Sequence, residues 1–276
     1  MSDWDDFEEG GEIAKKPCEK VNRKVTPVFF LIDTSGSMSG TKIDTVNNAM
    51  EEIMRDLSDL DSADFNLKYA VLSFEANCIW ETGDNGLIDC DGEWQRLETG
   101  SLTYFNTACR ILNEKLSGHG FFKFAAGNTI TPPVIILLTD GYANDGNENG
   151  LDGIAVLKKN KYFQGSFKVA LAIGDDANQQ LCSNFTGDKE TVWTAYNQRA
   201  LKKMMEAVIK ASITVSSGGS SDVHGTAKNP DKIQADAEEL KKSIESEIAG
   251  DSDLMKSANC PANETWDEPA NETWDE

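Results

Sequence analysis

Basic charge is scarce in this chain: 26 Lys and Arg stand against 47 Asp and Glu, a formal net charge of −21. A protein that grips a phosphate backbone needs a basic stripe, so nucleic acid is not an expected partner. Histidine is scarcer still. His119 and His224 lie outside every motif described below and read as solvated loop residues rather than general bases. The six cysteines (Cys18, Cys78, Cys90, Cys109, Cys182 and Cys260) form no C-x-x-C pair and match no zinc-module spacing. Cys78, Cys90, Cys109 and Cys182 read as small buried hydrophobes, not nucleophiles. No phosphate-cradling G-x-x-x-x-G-K-[ST] occurs. No apolar run reaches the ~18 residues of a membrane span. Residues 1–6 lack the positive start and apolar core of a signal peptide. The expectation is a cytoplasmic chain with reduced thiols, no membrane contact and no enzymatic activity.

What is present is concentrated. Residues 1–12 carry six acids and no Lys or Arg, and residues 222–276 carry a net −10, which leaves −5 for residues 13–221. The acidic excess therefore sits at the two ends, as solvated segments usually have it. Between them, strand and helix patterns alternate. The continuous apolar run 25–32 suits a strand buried on both faces. Ile43, Val46, Met50, Ile53, Met54 and Leu57 recur at helical spacing, predicting a helix to Leu60. Strands are predicted at 67–74, 134–139, 167–173 and 191–194, with residues 78–81 as an edge hairpin. Helices are predicted at 103–116, from about 150 to 159, at 179–185 and at 198–212. Such alternation implies an α/β, doubly wound, mostly parallel central sheet with helices on both faces.

One stretch carries the chemistry. The apolar run Val28-Phe29-Phe30-Leu31-Ile32 ends on Asp33, and the pattern continues Asp33-x-Ser35-x-Ser37. One carboxylate and two hydroxyls on a tight loop are hard oxygen ligands, suited to Mg²⁺ or Mn²⁺ rather than Zn²⁺. Gly36 between the serines reads as the residue that permits the sharp turn. Two further pieces follow: Thr103, opening the helix after Gly100-Ser101-Leu102, and Asp140, directly after the strand Val134–Thr139. Ligands in such folds sit at the C-terminal ends of strands, where both Asp33 and Asp140 fall.

These three pieces, in this order, resemble the von Willebrand factor A (VWA) domain and its metal-ion-dependent adhesion site, over about residues 25–213. The resemblance implies that Ser35, Ser37 and Thr103 ligate Mg²⁺, with Asp33 and Asp140 contacting it directly or through water. It further implies that a protein partner completes the coordination with an Asp or Glu. Thr103 is preceded by Ser101-Leu102 where the family commonly has two glycines, and Thr99 and Thr107 compete for its role. Within the family, Pro27–Met38, Val46–Met50, Leu138–Gly141 and Lys210–Ser217 are most similar to the bacterial tellurium-resistance group. That likeness implies a stress-response system with a protein kinase and a metal-dependent phosphatase. A VWA partner of an AAA+ ATPase shares the same metal motif.

The segments outside the domain divide as an acidic leader (1–24), the domain itself (25–216), a Ser/Gly linker (217–229), an amphipathic helix (230–250) and an acidic tail (251–276). The helix carries the narrow stripe Ile233, Ala237, Leu240, Ile244 and Ile248. It reads either as packed back on the domain or as a partner-binding helix. The tail holds the octapeptide Pro-Ala-Asn-Glu-Thr-Trp-Asp-Glu twice, at 261–268 and 269–276. Trp266 and Trp274 are candidate anchors for a bivalent partner, and Thr265 and Thr273 are candidate phosphorylation sites. A solubilising duplication is the competing reading. If the tail carries the interaction, the protein is a regulated scaffold or kinase substrate.

Overall fold

The computed structural model describes residues 24–60, 65–123 and 129–218, together with Lys242 and Ser246. The leader up to residue 23, most of the linker, the apolar stripe of 230–250 and the tail with Thr265, Trp266, Thr273 and Trp274 lie outside the described residues.

Strand β1, Lys24–Asp33, is apolar on both faces because both faces are covered. Val28, Phe30 and Ile32 point into one core with Val134, Ile136 and Leu138, while Phe29 and Leu31 point into a second core with Ile135 and Leu137. Strands β2 (Phe65–Phe74), β3 (Cys78–Trp80), β4 (Ile88–Asp89), β5 (Thr129–Ile130), β6 (Val134–Thr139), β7 (Phe167–Ile173) and β8 (Val192–Ala195) complete one eight-stranded sheet. Its order is β3-β2-β1-β6-β7-β8, with β4 added on β2 and β5 on β1. Every pairing is parallel except the edge ladders of β3 and β4 on β2. The expected doubly wound parallel sheet is therefore what forms.

The helices divide between the faces. Helices α1 (Thr41–Leu60) and α6 (Gln198–Gly218) cover one. The stripe Val46, Met50, Ile53, Met54 and Leu57 of α1 meets Leu201, Met204, Met205 and Val208 of α6 in that core. Helices α2 (Phe105–Lys115), α3 (Leu151–Leu157), α4 (Lys161–Gln164) and α5 (Gln179–Thr186) cover the other. Each fully buried Leu, Ile, Met or Phe stabilises by roughly 1.5–3 kcal/mol, so two filled faces fix the register of the sheet between them.

Of the boundaries that differ from the sequence reading, three bear on the site or on the limits of the domain. Helix α2 begins at Phe105, so Thr103 lies on the loop before it. Helix α6 continues through Gly218, two residues into the span read as linker, despite the low helix propensity of its Ser/Gly end. Strand β1 already includes Lys24, which was assigned to the leader.

The topology places the site. From β1 the chain moves outward to β2 and β3, then returns to the other side of β1 at β6. The strand order therefore reverses between β1 and β6, and the loops leaving their C-terminal ends diverge there. An open α/β sheet has its binding crevice at such a point.

Candidate metal centre

Asp33 closes β1, and its backbone pairs in register with Phe74 of β2. Its side chain is fully buried. One oxygen, Oδ1, accepts the Ser35 backbone N–H at 2.9 Å, which forms the turn after the strand. The other, Oδ2, accepts a short hydrogen bond from the Thr139 hydroxyl at the end of β6. Ser35 Oγ lies 3.1 Å from Ser37 Oγ. Ser37 in turn donates to Asp140 Oδ1 at 2.8 Å. Asp33, Ser35, Ser37 and Asp140 thus form one continuous polar chain across the reversal point.

Thr103 reaches the same place from a third loop. Two contacts hold that loop against its neighbour: the Thr103 N–H donates to Asn144 Oδ1 and the Asn144 N–H donates to the Thr103 carbonyl, each at 2.8 Å. A methyl group on Gly141 would meet Thr103 Oγ1 at 3.2 Å and Asp33 Oδ2 at 3.3 Å. The Thr103 hydroxyl and the Asp33 carboxylate therefore face each other across the bare Cα of Gly141. Thr99 and Thr107, the sequence-level competitors of Thr103, make no corresponding contact among those the structure records.

Gly36 serves a different end from the one expected. It does not lie in the left-handed region that favours glycine. Its requirement is close approach: its N–H donates to the Ser101 carbonyl at 3.1 Å, and a Cβ there would sit 3.2 Å from that oxygen. Gly36 thereby brings the serine loop against the threonine loop.

Burial dominates the electrostatics of Asp33. It pushes the carboxyl up to about 6, against the hydrogen bonds from Thr139 and Ser35 that lower it, while the nearby Asp140 charge is the smallest of these influences. Repulsion between the two aspartates is therefore secondary to desolvation. Asp140 is buried as well, but the Lys42 ammonium from the first turn of α1 is paired with its Oδ2. Burial pulls the Lys42 ammonium down in pKa; hydrogen bonds to Asp140 and Asp176 outweigh that and leave it above its ordinary value.

Several positioning residues carried no signal in the sequence. Thr139, Asn144 and Lys42 are three of them. Asp145 accepts the Asn106 and Thr107 backbone N–H groups at 3.0 and 2.6 Å, capping the start of α2 from another loop. Asn47, buried on α1, accepts the Leu97 N–H at 2.8 Å and donates to the Leu97 carbonyl at 2.9 Å. It thus ties down the segment leading to Thr103. Density of Asn and Asp in 144–149 was the only hint, and it indicates a loop without indicating what the loop holds.

The donor set fits a hard divalent cation. Two carboxylates and three hydroxyls, all oxygen, converge from three loops, and no His or Cys is among them. Among the described residues no group of three or more His, Cys, Asp or Glu could hold a metal, so any such site here depends on its hydroxyls. Ser35, Ser37, Thr103, Asp33 and Asp140 would hold Mg²⁺ or Mn²⁺, which would supply Lewis acidity toward an incoming carboxylate. The cysteines lie elsewhere in character: burial pushes the thiols of Cys78 and Cys182 up to about 12 and that of Cys109 well above its usual value. Thiols held protonated in this way are poor nucleophiles. No described helix is long and apolar enough to cross a membrane.

The surroundings of the site differ from its floor. Leu102, beside Thr103, is 44% exposed, and Tyr142, two residues after Asp140, is 53% exposed. Both flank the oxygen cluster in sequence, and both present apolar surface to solvent.

Comparison with known proteins agrees with this fold. The family described as von Willebrand factor type A domain matches residues 28–208. Mouse (Mus musculus) inter alpha-trypsin inhibitor, heavy chain 4, is 32% identical over 126 residues, covering 44% of this chain and 13% of that protein. Among solved structures, a von Willebrand factor type A protein from Catenulispora acidiphila is similar with a TM-score of 0.52 at 16% identity, over 69% of this chain and 43% of that one. The pilus adhesin SpaC from Lactobacillus rhamnosus GG, in its open conformation, gives a TM-score of 0.52 at 15% identity, over 71% of this chain and 31% of that one. At such identities the likeness is one of fold. This chain spans less than half the length of each of these relatives.

Proposed function

Because this chain belongs to the von Willebrand factor type A family, whose domains commonly serve in protein interaction and adhesion, we propose that it is a non-enzymatic interaction module. In this reading it captures a protein partner through a Mg²⁺-completed site, with Mn²⁺ as an alternative metal. The observation that carries the reading is the convergence of Asp33, Ser35, Ser37, Thr103 and Asp140 where the strand order reverses. Three of those donors are neutral, so only Asp33 and Asp140 offset the charge of a bound dication, which still draws an incoming anion as a Lewis acid. An Asp or Glu of the partner supplies the matching charge. Leu102 and Tyr142, which flank Thr103 and Asp140 in sequence, offer that partner exposed apolar surface.

The likeness to the bacterial tellurium-resistance group supports a finer proposal: a cytoplasmic stress-response setting with a protein kinase and a metal-dependent phosphatase. It rests on residues Pro27–Met38, Val46–Met50, Leu138–Gly141 and Lys210–Ser217. The duplicated tail motif favours a second reading, in which Trp266 and Trp274 bind the partner, or Thr265 and Thr273 are phosphorylated, and the protein acts as a scaffold.

Affinity capture from host lysate separates the two. The full-length protein serves as bait in Mg²⁺ and in EDTA, with Asp33→Ala and a variant lacking residues 261–276 in parallel. Partners lost with EDTA and with Asp33→Ala support the metal site. Partners kept in both, and lost with the tail, overturn it in favour of the scaffold.

A further inference from the structure

We infer that Lys42 is a resident counter-ion of the metal site, lowering its affinity for divalent cations and leaving a bound one more receptive to a partner carboxylate. The inference rests on the metal-binding reading of that site. Lys42 stands on the first turn of α1, yet its ammonium leaves the helix to join two other loops. Its Nζ is paired with Asp140 Oδ2, and it lies 2.9 and 3.2 Å from the two oxygens of Asp176, on the loop after β7. Asp140 is thereby divided. One oxygen takes the Ser37 hydroxyl, within the ligand cluster, and the other takes the ammonium.

The exposures of the three groups give the arrangement its direction. The Asp140 side chain is 1% exposed, that of Lys42 16% and that of Asp176 68%. A carboxylate as buried as Asp140 is costly without a cation, and Lys42 supplies one before any metal arrives. With Asp33 and Asp140 the cluster holds two carboxylates, and Lys42 offsets one of them. An arriving dication therefore meets an ammonium one carboxylate away, and like charges at that separation repel through a low-dielectric path. Asp176 provides the compensating feature. It offers the ammonium a second, solvated carboxylate, so Asp140 can be shared with a metal without leaving Lys42 unpaired. The net charge left at the metal is higher than two unopposed carboxylates would allow. Affinity for the cation is exchanged for attraction toward the partner's acid.

The test is a Mn²⁺ titration of the full chain, followed by calorimetry and by the metal-induced rise in melting temperature. Lys42→Met is expected to bind Mn²⁺ roughly tenfold more tightly than the wild type. Its melting temperature without metal falls and its metal-induced rise grows. Asp176→Asn leaves the ammonium wholly on Asp140 and is expected to weaken Mn²⁺ binding by about threefold. Equal or weaker Mn²⁺ binding by a folded Lys42→Met overturns the inference and leaves the metal site standing. Should Lys42→Met not fold, wild-type binding by Asp176→Asn overturns it instead. A wild-type chain that takes no Mn²⁺ overturns both this inference and the metal-site reading beneath it.

Discussion

Asp33 is at odds with its surroundings. A carboxyl buried at the end of a central strand is driven up to about 6, and the Thr139 and Ser35 hydrogen bonds offset only part of that. A divalent cation relieves the conflict by favouring the ionised form. Asp33→Asn keeps the shape and can still accept the Ser35 N–H, but removes the charge. The expected outcome is a metal-free melting temperature equal to or above that of the wild type, with the Mg²⁺-induced rise abolished. A variant that melts several degrees lower and still responds to Mg²⁺ would contradict this. Gly141 makes a second residue-scale case. A methyl group there would press between Thr103 Oγ1 and Asp33 Oδ2, slightly closer than ordinary contact. Gly141→Ala should weaken Mn²⁺ binding about tenfold while costing only ~1 kcal/mol in urea unfolding. Unchanged Mn²⁺ affinity would mean that the two groups do not act on one ion. Asp33, Ser35 and Ser37 were legible from the sequence because they fall within five residues and follow an apolar run. Thr139, Lys42 and Asn144 were not, because each acts through a partner tens of residues or more away in the chain.

At the scale of elements, β7 carries a half-buried lysine. Lys168 donates to the Phe163 and Ser166 carbonyls at 3.0 and 2.8 Å and lies 5.0 Å from the centre of the Phe163 ring. Burial lowers its pKa to about 8 from an ordinary 10.5. Between those values the unfolded chain binds more protons than the folded one, so this group's contribution to stability rises with pH through that window. Relative to Lys168→Met, the wild type should gain on the order of 2 kcal/mol between pH 7.5 and pH 10.5. Urea unfolding of both at the two pH values checks it, and a constant or widening deficit for the wild type would refute it. The main strands and helices were readable because β1 and β6 are unbroken apolar runs, as strands covered on both faces are, and the apolar period is 3.6 on α1 and α6. What escaped was too short to show a period: the two-residue ladders β4 and β5 and the single turn α4. Asn47 escaped for another reason. A polar residue among the apolar positions of α1 gives no sign in sequence that it will hold Leu97 and the loop beyond it.

The whole molecule gathers its chemistry at one end of a two-faced sheet. The doubly wound order lets loops that are distant in sequence diverge from β1 and β6 side by side, so that Asp33 and Asp140 meet across the reversal. Residues 13–221 carry a net −5, so the domain offers an acidic partner little attraction unless a cation is present. The expected outcome is partner binding that requires the metal. Five oxygen-bearing side chains from three loops are expected to make one divalent-cation site. A titration of the full chain with Mn²⁺, read by electron paramagnetic resonance, checks this, with the Ser35→Ala/Ser37→Ala double variant alongside. The expected result is one tightly held equivalent in the wild type and none in the double variant. No bound Mn²⁺ in the wild type, or binding that survives loss of both hydroxyls, would contradict it.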